Sequence, residues 1–321
     1  MIQRFTDSRC LRHLAPPGYP ECPERLEGIL DLWRRRGHDV IDAGPHGASV
    51  EMIRAVHDPE YVERFARAVE RGDGLLDSAD NPLCADTWTA VEAAVDASLG
   101  AADWVMAGED RHAFVAVRPP GHHAEHAQAM GFCFFDTVAV AAEYLRRHHG
   151  VERLAIFDFD VHHGNGTQHL FEDRADIAFA SVHQFPFYPG TGAATELGRG
   201  DGKGATVNVP LPAGSGDDAY AEAFDDEILP ALRRLEPEVL LLSAGFDAWR
   251  GDPLGGMVVS AEAYARWGEI LRQLAGELCR GRSLSLLEGG YDLTALPQLV
   301  EAYLGSPFDL APESEANGES P

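Results

Sequence analysis

Lysine is almost missing from this chain. Of its 26 Lys and Arg residues only Lys203 is a lysine, and 52 Asp and Glu residues leave a formal charge of −26. So acidic a surface excludes broad nucleic-acid binding, because most of it would repel a phosphate backbone. It suits a cationic small molecule or a basic peptide as partner, and it also serves solubility. Cysteine is sparse: Cys10, Cys22, Cys84, Cys133 and Cys279 stand singly, with no C-x-x-C pair. That excludes a disulfide framework and a thiolate zinc site, and leaves reduced, mostly structural thiols. No apolar run approaches the length of a membrane span, and Met1 to Cys10 (MIQRFTDSRC) shows no basic region followed by an apolar one. No membrane partner and a cytoplasmic location are therefore expected. Repeats of solenoid period are also lacking.

What is present is a 45% hydrophobic chain of 321 residues, enough for a substantial core. No composition shift marks a linker, so residues 1–308 are expected to form a single domain, with 309–321, ending in the polar APESEANGESP, as a disordered tail. Short β-branched and aromatic runs alternate with helical patterns, the signature of α/β architecture with a parallel sheet covered by helices. Strands are predicted at 113–117, 153–159, 177–182, 206–209, 238–244 and 283–287, and helices at 23–36, 59–71, 85–107, 137–148, 218–235 and 261–279. Ligands of such sheets bind beyond the carboxyl ends of the strands. Polar clusters at 118–124, 158–165, 183–192, 245–251 and 288–292 each follow a predicted strand there.

The strongest cluster is Asp158-Phe159-Asp160-Val161-His162-His163-Gly164-Asn165-Gly166. Carboxylates entering a buried sheet are costly unless paired or metal-bound, and no nearby strand supplies a lysine or arginine to make this a plain ion-pair cluster. If the segment stays extended, residues 158, 160 and 162 project to one face. Asp247, after the apolar EVLLLSAGF, can complete a triad of two carboxylates and one imidazole, although alone it would read as a helix N-cap. Such a triad leaves a coordination position open, as catalytic sites do. Oxygen and nitrogen ligands suit Zn²⁺, and would also accept Fe²⁺ or Co²⁺. Arg118-Pro119-Pro120-Gly121-His122-His123-Ala124 presents two histidines on a rigid turn suited to acid–base work. In Leu287-Glu288-Gly289-Gly290-Tyr291-Asp292, two glycines free the backbone to set Tyr291 over the site, where a phenol can donate to a developing oxyanion.

Taken together, RPPGHHAEHAQAMGFCFFD, DFDVHHGNGTQ, SVHQFPFYPGTG, SAGFDAWRGDPLGG and LEGGYD occur in this order within about residues 10–305. The chain thereby resembles the zinc-dependent histone deacetylase family, more closely its class II and bacterial branch. The resemblance implies a three-layer α/β/α, arginase-like fold with a mainly parallel, eight-stranded sheet. It implies Asp160, His162 and Asp247 as zinc ligands, His122 and His123 as the tandem histidines, and Tyr291 as the catalytic tyrosine. Asp158 should hydrogen-bond His122, and Asn165 should face His123. An acyl tunnel would be lined by Phe132, Tyr188 and Leu254 with Gly131 at its wall, and a structural K⁺ would sit near Asp158, Asp160, His162, Ser181 and Val182. His123 would take a proton from water and return it to the leaving amine, and a neutral Asn165 partner would leave it basic near neutral pH.

Two stretches depart from the family pattern. Asp136-Thr137 stands where Asn-Asn is usual, a change expected to alter packing more than chemistry. Glu21-Cys22-Pro23-Glu24-Arg25 replaces a more familiar His-Pro-Glu-Arg stretch and leaves the loop at the tunnel mouth open. The implied substrate is an acyl-lysine in protein or peptide, or an acylated polyamine. Leu254 in place of an acid in the GDP-x-G segment, and the lack of a long insertion at 71–86, favour lysine; the acidic surface pulls toward polyamine. A catalytically inactive acyl-lysine binder is opposed by the complete residue set. A binuclear manganese ureohydrolase is opposed by the missing Asp-x-His-x-Asp pattern. The oligomeric state is not legible.

Overall fold

A computed structural model describes residues 1–310; most of the segment expected to form a tail, 311–321, lies outside them. Eight strands, β1 (Ile2–Thr6), β2 (Val40–Asp42), β3 (His112–Ala116), β4 (Leu154–Asp158), β5 (Ile177–Gln184), β6 (Thr206–Leu211), β7 (Val239–Ala244) and β8 (Ser283–Leu287), form one sheet in the order β2-β1-β3-β8-β7-β4-β5-β6. The expectation was a mainly parallel sheet; every pairing proves parallel. Strands β4 (LAIFD), β7 (VLLLSA) and β8 (SLSLL) are buried at every position, as a sheet covered on both faces requires.

The helices are α1 (Pro23–Arg36), α2 (Ser49–Val56), α3 (Pro59–Arg71), α4 (Thr87–Met106), α5 (Thr137–His149), α6 (Asn165–Phe171), α7 (Asp217–Ala223), α8 (Leu229–Leu235), α9 (Ala261–Leu278) and α10 (Leu296–Tyr303). One group joins α2, α3, α4 and α5, another α1, α9 and α10, and both α5 and α9 pack on β7. The result is the expected three-layer α/β/α arrangement. Among the described residues, no helix is long and apolar enough to cross a membrane.

Strands β1 and β2 escaped the sequence reading. The polar Gln3 and Arg4 interrupt β1, and β2 has only three residues, so neither shows a run long enough to read. The helix predicted at 218–235 is not regular: a π-helical turn, Phe224–Ile228, separates α7 from α8. Pro230 explains the break. It has no N–H to continue the ladder, and the preceding Leu229 N–H reaches back five residues to the Phe224 carbonyl.

Asp136, the departure after GFCFF, caps α5. One of its oxygens accepts the Ala139 N–H at 2.9 Å and the other the Thr167 hydroxyl at 2.7 Å, inside the protein. Burial pushes this carboxyl up to about 7. With the folded value raised above the unfolded one, the stability it contributes is present while it stays protonated and is lost as pH climbs from about 4 to about 7. The Asp136→Asn variant should therefore gain in Tm over the parent across that window in a thermal unfolding series. A gap independent of pH would contradict this.

Candidate active site

The loops that follow β3, β8, β7, β4 and β5, five neighbours in the sheet, carry all the predicted clusters to one end of the molecule. After β4 the chain does not stay extended, as the period-two argument required. Asp158 accepts the Asp160 N–H at 3.0 Å and Asp160 the His162 N–H at 2.9 Å, so each side chain closes a small turn over the next two residues. The turns split the cluster: Asp158 faces His122, while Asp160 and His162 face Asp247.

His162 Nδ1 lies 3.1 Å from an Asp160 oxygen and 3.2 Å from an Asp247 oxygen. One donor atom from each of the three residues falls within 4.8 Å of the others. Burial alone would lower the His162 pKa, but the two carboxylates outweigh it and bring it to about 10. Burial and the Asp160 charge push Asp247 upward. Two buried acids sharing one imidazole proton form a cluster that a divalent cation would neutralise better. The backbone is shaped to this arrangement. Gly289 N–H donates to Asp160 at 2.7 Å, and a Cβ on Gly289 would sit 2.1 Å from an Asp247 oxygen and 2.5 Å from an Asp160 oxygen.

The two histidines have opposite environments. His122 Nδ1 is 2.9 Å from an Asp158 oxygen. Burial opposes its charge, yet Asp158 and Asp160 hold its pKa well above the ordinary value. His123 Nδ1 is 2.7 Å from the Asn165 carbonyl oxygen, and burial with His122 and His162 beside it keeps this ring well below the ordinary value. One ring thus carries charge and its neighbour, with ring centroids 4.0 Å apart, stays neutral. The turn beneath them is held by Glu288, whose carboxylate accepts the N–H groups of Gly121 at 2.7 Å and His122 at 3.2 Å. Burial pushes Glu288 up to about 8.

Tyr291 is buried, with its phenol held well above the ordinary range by that burial. Its backbone N–H donates to Asp252 at 2.6 Å. The stretch that left the tunnel mouth open proves to be its anchor: Arg25, fully buried, donates to the carbonyls of Glu288 and Gly290 and lies 4.8 Å from the Tyr291 ring centroid. Glu21 bonds both Arg25 and Arg118, the latter in a two-pronged pair at 2.8 and 2.6 Å.

A cavity of about 240 Å³ opens onto this constellation, lined by His123, His162 and Tyr291 together with all four predicted wall residues, Gly131, Phe132, Tyr188 and Leu254. Gly131 is forced to be glycine twice over, by φ of +58° and because a Cβ would approach His123 Cδ2 to 2.3 Å. Sequence reasoning missed two lining residues. Phe187 stacks on His162 with centroids 5.3 Å apart, and Asp80 accepts from the Gly131 N–H at 3.0 Å and the Tyr188 hydroxyl at 3.1 Å. Phe187 sat inside a quoted motif; Asp80, in a loop far along the chain, gave no signal. Glu288 carried the same signal as Asp158, an acid ending an apolar strand. Of the residues expected around potassium, Asp158 pairs in register with Ser181, whose hydroxyl meets His183 Nδ1 at 2.9 Å, and Val182 follows on β5.

The model of the histone deacetylase domain matches residues 19–306. The chain belongs to the histone deacetylase family. Its reaction is accordingly hydrolysis of an amide bond that releases an acyl group. Among relatives, "Histone deacetylase 10, chloroplastic" of Oryza sativa subsp. japonica is 40% identical over 311 residues, covering 90% of this chain and 70% of that protein. The crystal structure of the HDA15 HD domain superposes with a TM-score of 0.84 at 35% identity, covering 95% of this chain and 88% of that one. An acetylpolyamine aminohydrolase from Burkholderia pseudomallei gives 0.82 at 30% identity, covering 94% and 98%. This deacetylase thus stands near relatives with two kinds of name. Its cluster of Asp160, His162 and Asp247, which could hold a metal ion, makes a direct prediction. Gly289→Ala should leave the protein folded by circular dichroism but strip it of divalent metal after dialysis, measured by elemental analysis; full metal retention would show that the close packing is not required.

Proposed function

We propose that residues 1–308 form one zinc-dependent deacetylase domain that removes acetyl or other acyl groups from acyl-lysine side chains in proteins or peptides. The observation that carries the reading is one cavity lined at once by His162 of the acidic cluster, the neutral His123, Tyr291 and apolar walls. Asp160, His162 and Asp247 would hold Zn²⁺, or in its place Fe²⁺ or Co²⁺; the Gly289 contact supports the fit, since the two carboxylates pack where any side chain would displace them. Bound there, the ion supplies Lewis-acid polarisation and acidifies a water.

The remaining work falls to the protein. His123, neutral, takes a proton at its outward nitrogen Nε2 and returns it to the departing amine. Tyr291, protonated because burial keeps its phenol far above neutral pH, donates to the carbonyl oxygen as charge builds on it. His122 with Asp158 keeps a fixed positive charge beside that centre. Phe132, Tyr188 and Leu254 admit an alkyl chain and keep bulk water out. A K⁺ held near Asp158, Asp160, His162, Ser181 and Val182 would tie the ends of β4 and β5 together.

One observation favours a second substrate, an acylated polyamine: Asp80 adds a carboxylate to the cavity wall of a chain with formal charge −26, and a polycation would meet attraction at both scales. Purified, metal-loaded protein assayed side by side on acetyl-lysine peptides, longer acyl-lysines and acetylated polyamines decides between them. Turnover should vanish with a chelator and return with Zn²⁺. Tyr291→Phe should lose roughly 100- to 1,000-fold in kcat with metal content unchanged. Folded, metal-loaded protein that hydrolyses none of these substrates would refute the assignment, and an unaffected Tyr291→Phe enzyme would remove the tyrosine from it.

A further inference from the structure

The amide of Asn165 can face His123 in two ways, and only one of them makes His123 a base. If its oxygen faces Nδ1, the imidazole proton must sit on Nδ1 and Nε2 keeps its lone pair. If its NH₂ faces Nδ1, the proton moves to Nε2 and the lone pair is lost to the reaction. Asparagine by itself has little preference between these orientations.

The surroundings of Asn165 Nδ2 remove the ambiguity. It donates to the Glu125 carboxylate, and lies 3.4 Å from the His123 backbone carbonyl and 3.3 Å from the Met130 sulfur. Each of these groups accepts and none can donate. Turning the amide over would aim its oxygen at three acceptors and leave its NH₂ toward His123. Glu125 is itself anchored. His169 Nδ1 bonds both of its oxygens, at 2.8 and 3.0 Å; its N–H donates to the Gln128 carbonyl at 2.9 Å; and its carbonyl meets His57 Nδ1 at 3.0 Å. The carboxylate is partly exposed, at 23% of its side-chain surface, and does not line the reaction cavity.

We infer that Glu125 is a positioning residue that sets the tautomer of His123 through Asn165, so that Nε2 is the free base; the catalytic consequence rests on the hydrolase reading above, the tautomer does not. His169 is the outer member of the same chain of bonds and holds the carboxylate toward Asn165.

The test uses the full-length, zinc-loaded protein labelled with ¹⁵N-histidine, in which ¹⁵N shifts and long-range couplings report which nitrogen of His123 carries the proton, with His123→Gln giving the assignment. The wild type should show the proton on Nδ1. Glu125→Met, similar in length but unable to accept, should show a mixture or the opposite tautomer, with kcat lowered roughly 10- to 100-fold and KM and metal content kept. Glu125→Gln, which can still accept from Asn165, should restore both readouts. A wild-type proton on Nε2 overturns the inference without any variant, as does an unchanged tautomer in Glu125→Met. Should Glu125→Met not fold, an altered tautomer in Glu125→Gln overturns it equally. If the tautomer shifts while kcat does not, Glu125 sets the tautomer as inferred and the base role of His123 is what fails.

Discussion

Five carboxyl groups, those of Asp136, Asp158, Asp160, Asp247 and Glu288, are buried together at the carboxyl end of one sheet, and the rest of the site is organised by the need to neutralise them. Among the ion pairs of the described residues, those that meet these acids come from the histidines His122 and His162. Compensation comes from backbone N–H groups, those of Gly121, His122, Ala139, Asp160, Val161, His162 and Gly289, and from these two imidazoles. Loops that aim so many amides at acids have little conformational freedom. Electrostatic need thus fixes the backbone, and the fixed backbone places the reactive side chains.

The same need explains the division of labour between the two histidines. Adjacent in sequence and nearly in contact, they differ because one bonds a carboxylate and the other a carboxamide. A charged imidazole next door makes a second charge expensive, so the state of His122 helps keep His123 neutral. Only a few hydrogen-bond acceptors separate an acid-like ring from a base-like one.

Much of this was legible in the sequence, and for physical reasons. Acids and histidines at the ends of otherwise apolar strands stand out because burial makes them costly, so Asp158, Asp160, His162, Asp247 and the tandem histidines declared themselves, and the structure brings them together. The buried strands β4, β7 and β8 were plain for the complementary reason, unbroken apolar runs. Features set by distant partners were hidden. Strand β1 pairs with β2 and β3 despite its polar residues, the helix at 218–235 yields to a π-turn, Asp80 reaches the cavity from a loop, and the turn after β4 bends where an extended chain was expected. Arg25 was visible as a departure, yet its grip on the Tyr291 loop depends on contacts 263 and 265 residues along the chain.

That reach has a consequence for how the protein comes into being. Strands β3 and β8 lie side by side although one ends at Ala116 and the other begins at Ser283, and the wall behind the acidic cluster, Gly289, follows β8. Pairings between such distant segments form slowly, after the entropy of closing large loops has been met. Without β8 the β4–β7 pairing would still bring Asp160, His162 and Asp247 near one another, but the Gly289 N–H that Asp160 accepts and the loop that carries Tyr291 would be missing. The acidic cluster therefore gains its back wall and the loop that carries Tyr291 only once β8 has joined the sheet, which ties the finish of the site to a long-range pairing and not to any local turn.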